Sequence, residues 1–136
     1  MSKGIWRAAS PNIESAVAAL SEAAPIRLPK AYLAQLLSSN GGEGSLGIEP
    51  GWISLWPAEV VLSLNNDYSI AEFLPGFFGF GSSGGGELLA FDARESEPYP
   101  IVMVPFIPMD PKQAVRIAYS FEELRDLIGK PYPETA

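Results

Sequence analysis

The spacing of apolar residues changes along the chain, and each change marks an element. Ile13, Val17 and Leu20 recur at intervals of four and three, with Glu14, Ser15, Ser21 and Glu22 off the stripe. That period predicts a helix with one buried face. Ser10 and Pro11 suit its N-cap and first turn, and Pro25 ends it. A second helix opens at Leu28-Pro29 and runs to about Ser39, with Tyr32, Leu33, Leu36 and Leu37 as its apolar face. Asn40-Gly41-Gly42 is its left-handed stop. Residues 43–51 read as a glycine-containing loop. Trp52-Ile53-Ser54-Leu55-Trp56 then alternates as a short strand with both tryptophans on one face, packed on the core. Pro57 starts a turn or two of helix that dissolves at Asn65-Asn66-Asp67.

Beyond residue 76 the period shortens. Phe77-Phe78-Gly79-Phe80 and Leu88-Leu89-Ala90-Phe91 flank Gly84-Gly85-Gly86, which predicts an antiparallel hairpin. The three glycines can take positive φ, with Gly85 the candidate at the reversal. A polar turn over 93–98 leads to a third run over 99–107, rich in β-branched residues, read as a central strand. Its pairing is confined by Pro100, Pro105 and Pro108. Ser120-Phe121-Glu122-Glu123 is a capping box with Tyr119 and Leu124 as a hydrophobic staple. Leu124, Leu127 and Ile128 cover the sheet from that last helix, and Gly129 stops it. The domain spans 10–130, after a leader over 1–9 whose Trp6 packs back and before a tail over 131–136.

Composition removes much chemistry. At 136 residues with 47% hydrophobic content, the chain can bury a core without a staple. It has no cysteine and no histidine, which excludes disulfides, thiolate and His-based nucleophilic machinery, and nearly every zinc arrangement. The net charge of −7 argues against direct nucleic-acid or anionic-membrane binding and allows a basic partner. No apolar run is long enough to span a membrane, and no charged-then-apolar signal opens the chain, so a soluble, cytoplasmic protein is expected.

Two sharper chemistries fail on the residues present. The glycine-rich turn lacks a following Gly-Lys-Ser/Thr, leads into a strand, and exits at Glu87, which would repel a phosphate. The pair Glu122-Glu123 is explained by the capping box and the positive helix N-terminus rather than by acid–base work. No catalytic, cofactor-binding or metal-ligating residue is assigned.

The order of these signals resembles the SUKH superfamily of bacterial immunity proteins and eukaryotic cell-wall-assembly regulators. The residues that carry it lie between about 13 and 128: Leu28-Pro29 with Tyr32 and Leu36, Asn40-Gly41-Gly42, Leu55-Trp56-Pro57-Ala58-Glu59-Val60, Phe73-Leu74-Pro75, the run Gly81 to Asp92, a strand over 100–104, and Ser120 to Leu124. Ser83, Glu87 and Leu124 stand where the family often has Asp, Asp and Phe. The resemblance implies a single α+β domain, a curved, mostly antiparallel sheet with N-terminal helices and a C-terminal helix packed around it, which agrees with the element order above. It also implies a non-enzymatic protein that binds and neutralises a toxin domain, often a nuclease, with a regulatory or scaffold module as the alternative.

For an acidic inhibitor of a basic toxin, Glu87, Asp92, Glu95 and Glu97 on the hairpin and its following turn are the candidate charged contacts. Tyr99 is a candidate anchor beside them, with Trp6, Trp52 and Tyr68, because interface hot spots favour aromatic residues. Oligomeric state is not read from the sequence.

Overall fold

Among the described residues seven strands lie side by side in the order in which the chain makes them, each antiparallel to the next. The computed structural model describes residues 3–12 and 14–133. Ile13, the first residue of the predicted apolar stripe, lies outside the described residues, as do 1–2 of the predicted leader and 134–136 of the tail. The strands are β1 (Trp6–Arg7), β2 (Gly42–Ser45), β3 (Trp52–Leu55), β4 (Phe77–Ser82), β5 (Glu87–Asp92), β6 (Ile101–Pro105) and β7 (Val115–Ala118). Among the described residues five helices accompany them: α1 (Glu14–Ala23), α2 (Lys30–Ser38), α3 (Ala58–Asp67), α4 (Ile70–Phe73) and α5 (Phe121–Arg125). The expected α+β class, an open antiparallel sheet with helices from both ends of the chain, is what forms.

The β4–β5 hairpin is apolar without alternation because both of its faces are covered. Leu88, Leu89, Ala90 and Phe91 are all fully buried, although successive side chains point to opposite faces. On one face Phe91 meets Tyr32 of α2 at 5.3 Å and Phe121 of α5 at 6.0 Å between ring centres. On the other, Ile70 of α4, Leu88 and Trp56 close around Gly79. The pairing of β4 with β5 shifts register between Gly79 and Gly81, and Phe80, at that shift, lies in the same ring cluster, 4.7 Å from Phe91 and 5.8 Å from Tyr32. Burying each such ring stabilises the fold by about 1.5–3 kcal/mol.

Where β3 leaves the sheet to become α3, the strand edge of β4 is left open at Gly79. Asn65 of α3 fills the gap: its carboxamide oxygen accepts from the Gly79 N–H at 2.9 Å and its nitrogen donates to the Gly79 carbonyl at 2.9 Å. The same nitrogen donates to the Val61 carbonyl at 2.8 Å. One side chain therefore substitutes for a neighbouring strand, and buried backbone groups that would otherwise be orphaned are paired. Asn40 serves the other end of α3, where Pro57 has no side-chain acceptor. Its oxygen takes the Ala58 N–H at 2.8 Å, and its nitrogen donates to Glu59 at 2.9 Å.

Several local expectations change in the fold. The segment read as a leader supplies β1, pairing Trp6 with Gly44 and Arg7 with Glu43. The stretch 43–51 read as a loop contains most of β2, whose Gly42 and Gly44 hid its strand character; a Cβ on Gly44 would run into the Ile5 carbonyl just before β1. Pro11 and Asn12 lie outside any helix and Glu14 is the first described helical residue, while the Ser10 carbonyl accepts from the Asn40 N–H at 2.9 Å. Helix α3 runs through Asn65-Asn66-Asp67 because Asn65 finds tertiary partners, and α4 follows it. Trp56 leaves the strand and buries, while Trp52 stays half-buried under Arg7, whose guanidinium sits 5.9 Å from its ring. Strand β7 lies in a stretch for which no element was predicted.

Other details hold. Gly129 adopts a φ of +86° after α5, and Ser120 Oγ accepts from the Glu123 N–H at 3.1 Å, while α2 ends at an extended Ser39 before the positive φ of +101° at Gly41. Tyr119, however, is exposed rather than stapled, its ring and hydroxyl engaged by Arg116. In the glycine turn the positive φ falls on Gly84, at +81°, and not on Gly85. A Cβ at Gly84 would approach Trp52 Cδ1 to 2.7 Å, whereas at Gly85 it would meet only Ser83 Oγ at 3.7 Å.

Two stability measurements follow. Gly84→Ala is expected to cost more than about 1 kcal/mol in urea unfolding, with Gly85→Ala within about 0.5 kcal/mol of the native chain; the reverse ranking would move the reversal back to Gly85. The Tyr32 hydroxyl is buried without a hydrogen-bond partner, and burial pushes its phenol well above the usual tyrosine range. Since an unpaired buried hydroxyl costs about 1–3 kcal/mol, Tyr32→Phe should hold or raise stability. A loss above about 1 kcal/mol would mean that the hydroxyl has a partner.

Candidate functional site

The carboxylates singled out by sequence differ in how far the fold lets them act. Glu87 opens β5 half-buried, and its Oε1 accepts from the Ser83 hydroxyl at 2.7 Å. Ser83 Oγ in turn accepts from the backbone N–H groups of Gly85 at 3.2 Å and Glu87 at 3.3 Å. Glu87 is thus part of the turn that the glycines allow. Asp92 closes the same six-residue strand, so at about 3.3 Å per residue the two lie roughly 17 Å apart. The structure does not gather the four acids into one patch.

Asp92 is held by Arg94, whose Nε and Nη2 donate to its two oxygens at 2.9 and 2.8 Å. Arg94 is fixed in turn: its stem lies against Gly76, and its guanidinium is 4.6 Å from the centre of the Phe77 ring. The hydrogen bonds from Arg94 hold the Asp92 carboxyl below the usual carboxylate range, against the opposing effect of partial burial. Glu95 and Glu97 remain exposed on the turn.

Tyr99 is only 7% exposed and packs on Phe91 at 6.2 Å. It offers an edge to a groove of about 340 Å³ between the start of α2 and the start of α5, lined also by Pro29, Lys30, Glu97, Pro98, Phe121 and Glu122. Arg27 faces the adjoining hollow with Ser96 and Glu97. Acids on this side are therefore interspersed with Arg27, Lys30 and Arg94.

A second surface was only partly foreseen. Tyr68, at the end of α3, is 43% exposed and held between Trp56, at 6.1 Å and nearly parallel, and Phe106, at 4.8 Å. Ile107 beside it is 91% exposed. The sequence marked Tyr68 as an aromatic candidate but placed Phe106 and Ile107 in a strand. Pro105 and Pro108 were the available signal that the strand ends near them.

Charge is distributed unevenly along the chain. Between positions 31 and 93 the chain carries seven carboxylates and no lysine or arginine, while its nine bases all lie outside that stretch among nine other acids. The whole net charge of −7 is thus encoded between α2 and the end of β5. Among the described residues Arg94 with Asp92 is the one ion pair. No group of three acidic side chains converges there to hold a metal ion, and no helix is long and apolar enough to cross a membrane.

Together these features define a small α+β domain whose distinctive chemistry lies on its surface, in carboxylates and in exposed apolar side chains. Residues 11–126 match the family described as SMI1 / KNR4 family (SUKH-1), and the chain belongs to it. That family includes both toxin-immunity proteins and cell-wall regulators, is generally non-catalytic, and typically works through partner proteins. No curated protein matches the chain.

The Asp92–Arg94 pair gives a pH-dependent signature. Because the folded-state pKa is depressed, the pair's stabilisation is present above the ordinary carboxylate range and lost as pH falls through the lower folded value. The pair lies at the surface, so the amount is below about 1 kcal/mol. A carboxyl-carbon NMR titration should place Asp92 below about 3.9 in the native chain and return it toward that value in Arg94→Met. An unmoved midpoint would mean that Arg94 does not set it.

Proposed function

We propose that this domain is an immunity protein: it binds the basic substrate groove of a toxin domain of nuclease type and blocks it stoichiometrically.

 The observation that carries this reading is the confinement of all net charge to one base-free stretch, 31–93, in a family that works through protein partners. A nuclease presents a basic groove to its substrate, and an acidic surface that fills the groove competes with nucleic acid by the same electrostatics. Long-range attraction of this kind raises association rates by about 10–10³ at low salt. Glu95 and Glu97, exposed on the 93–98 turn, add to the attraction from outside the stretch in this reading, and Glu87 and Asp92 contribute charge while held in place. Tyr99 contributes an edge to the groove beside Glu97.

The test is to recover the tagged chain from its host at low salt and assay whatever is bound. The expected result is a basic protein held one to one, released by salt, whose activity is lost on rebinding. Recovery of wall-synthesis or signalling proteins without inhibition would favour the regulatory reading instead. With the partner in hand, reversing Glu95 and Glu97 to Lys should slow association several-fold and flatten its salt dependence; unchanged rates would remove this turn from the contact.

A further inference from the structure

Val60, Leu64 and Tyr68 recur at every fourth residue along α3 and its C-cap, which aligns them as one ridge on the helix. Val60 and Tyr68 are exposed and Leu64 is half-buried. The ridge continues through the contact of Tyr68 with Phe106 to Ile107. We infer that this ridge is the central docking surface of the domain, and that its occupant is a basic protein face presenting an apolar spot ringed by lysine or arginine. The inference rests on the proposed function for the partner's role, but its location rests on the ridge alone.

Three observations support it. Tyr68 is already immobilised between Trp56 and Phe106, so little side-chain entropy remains to be lost when a partner covers it. Ile107 is almost wholly in solvent, so the described chain leaves this apolar side chain uncovered. The flanks are acidic: Asp67 precedes Tyr68, Glu59 precedes Val60, and Glu87 follows Gly86, whose carbonyl accepts from the Phe106 N–H at 2.9 Å. Lys112, in the short 3-10 turn beyond Ile107, is matched by Asp110, whose side chain caps that turn. A second copy of the chain is the wrong occupant, since a two-fold contact would set these carboxylates against one another.

The probe is a synthetic helical peptide with leucine along one face and arginine along the other, titrated at low salt into the isotope-labelled chain. Amide shifts are expected over residues 60–68, 86–87 and 106–107. Tyr68→Ala and Ile107→Ser should each weaken the peptide about tenfold at any salt concentration, whereas Asp67→Lys should do so only at low salt. Ile107→Ser removes a side chain that is nearly free of contacts, so its effect remains readable if Tyr68→Ala lowers the melting temperature. Shifts centred on 94–99 or on β7, or self-association of the chain through the ridge, would overturn the inference.

The two proposals fail separately. If the peptide maps to the ridge but no inhibited basic protein is recovered from the host, the immunity reading falls and the surface stands. If such a protein is recovered and binds Tyr68→Ala and Ile107→Ser as tightly as the native chain, the surface falls and the immunity reading stands.

Discussion

The carboxamide of Asn65 decides how the helices and the sheet fit together. It occupies the place where a strand would otherwise pair with Gly79, and it bonds the two backbone groups that such a strand would have bonded. With that edge satisfied, β3 is free to turn away into α3, and β4 can bulge between Gly79 and Gly81. Phe80, inside that bulge, lies among Tyr32, Phe91 and Phe121. An aspartate could accept from Gly79 but not donate to it. Asn40 makes a related connection at the start of α3, so that helix is tied at both ends by amide side chains from elsewhere or to elsewhere.

Fixing α3 has a direct effect on the surface. The same helix that carries Asn65 toward the sheet carries Val60 and Tyr68 toward solvent, and the stack of Trp56, Tyr68 and Phe106 keeps the exposed ring from swinging. The acids elsewhere are less free. Asp92 is engaged by Arg94, and Glu87 by Ser83. A carboxylate already bonded within its own chain still contributes to the long-range field, but it has fewer lone pairs to offer a partner.

Much of this was legible because local chemistry and burial agreed. The hairpin, the central strand, the second helix and the Ser120 cap each announce themselves within a dozen residues. What escaped depended on distant partners. Strand β2 has glycines where a strand normally has branched side chains, and it exists because β1 and β3 border it. Helix α3 outlasts its asparagines because Asn65 bonds across to β4. At the reversal the positive φ falls on Gly84, which lies against the Trp52 ring, and not on Gly85. The proposed contacts were harder still, since a list of acids does not say which are paired, and Phe106 and Ile107 look in sequence like the end of a strand.

The sheet and the core differ in how far they reach along the chain. Every strand pairs with its neighbour in sequence, yet the ring cluster draws one member from α2, two from the hairpin and one from α5. No fragment of the polypeptide therefore owns a core. Cut between the hairpin and α5, the chain would leave Phe121 on one piece and its three aromatic neighbours on the other. The indivisible unit is the whole span from Tyr32 to Phe121, and the final short helix, five residues long, is what closes it.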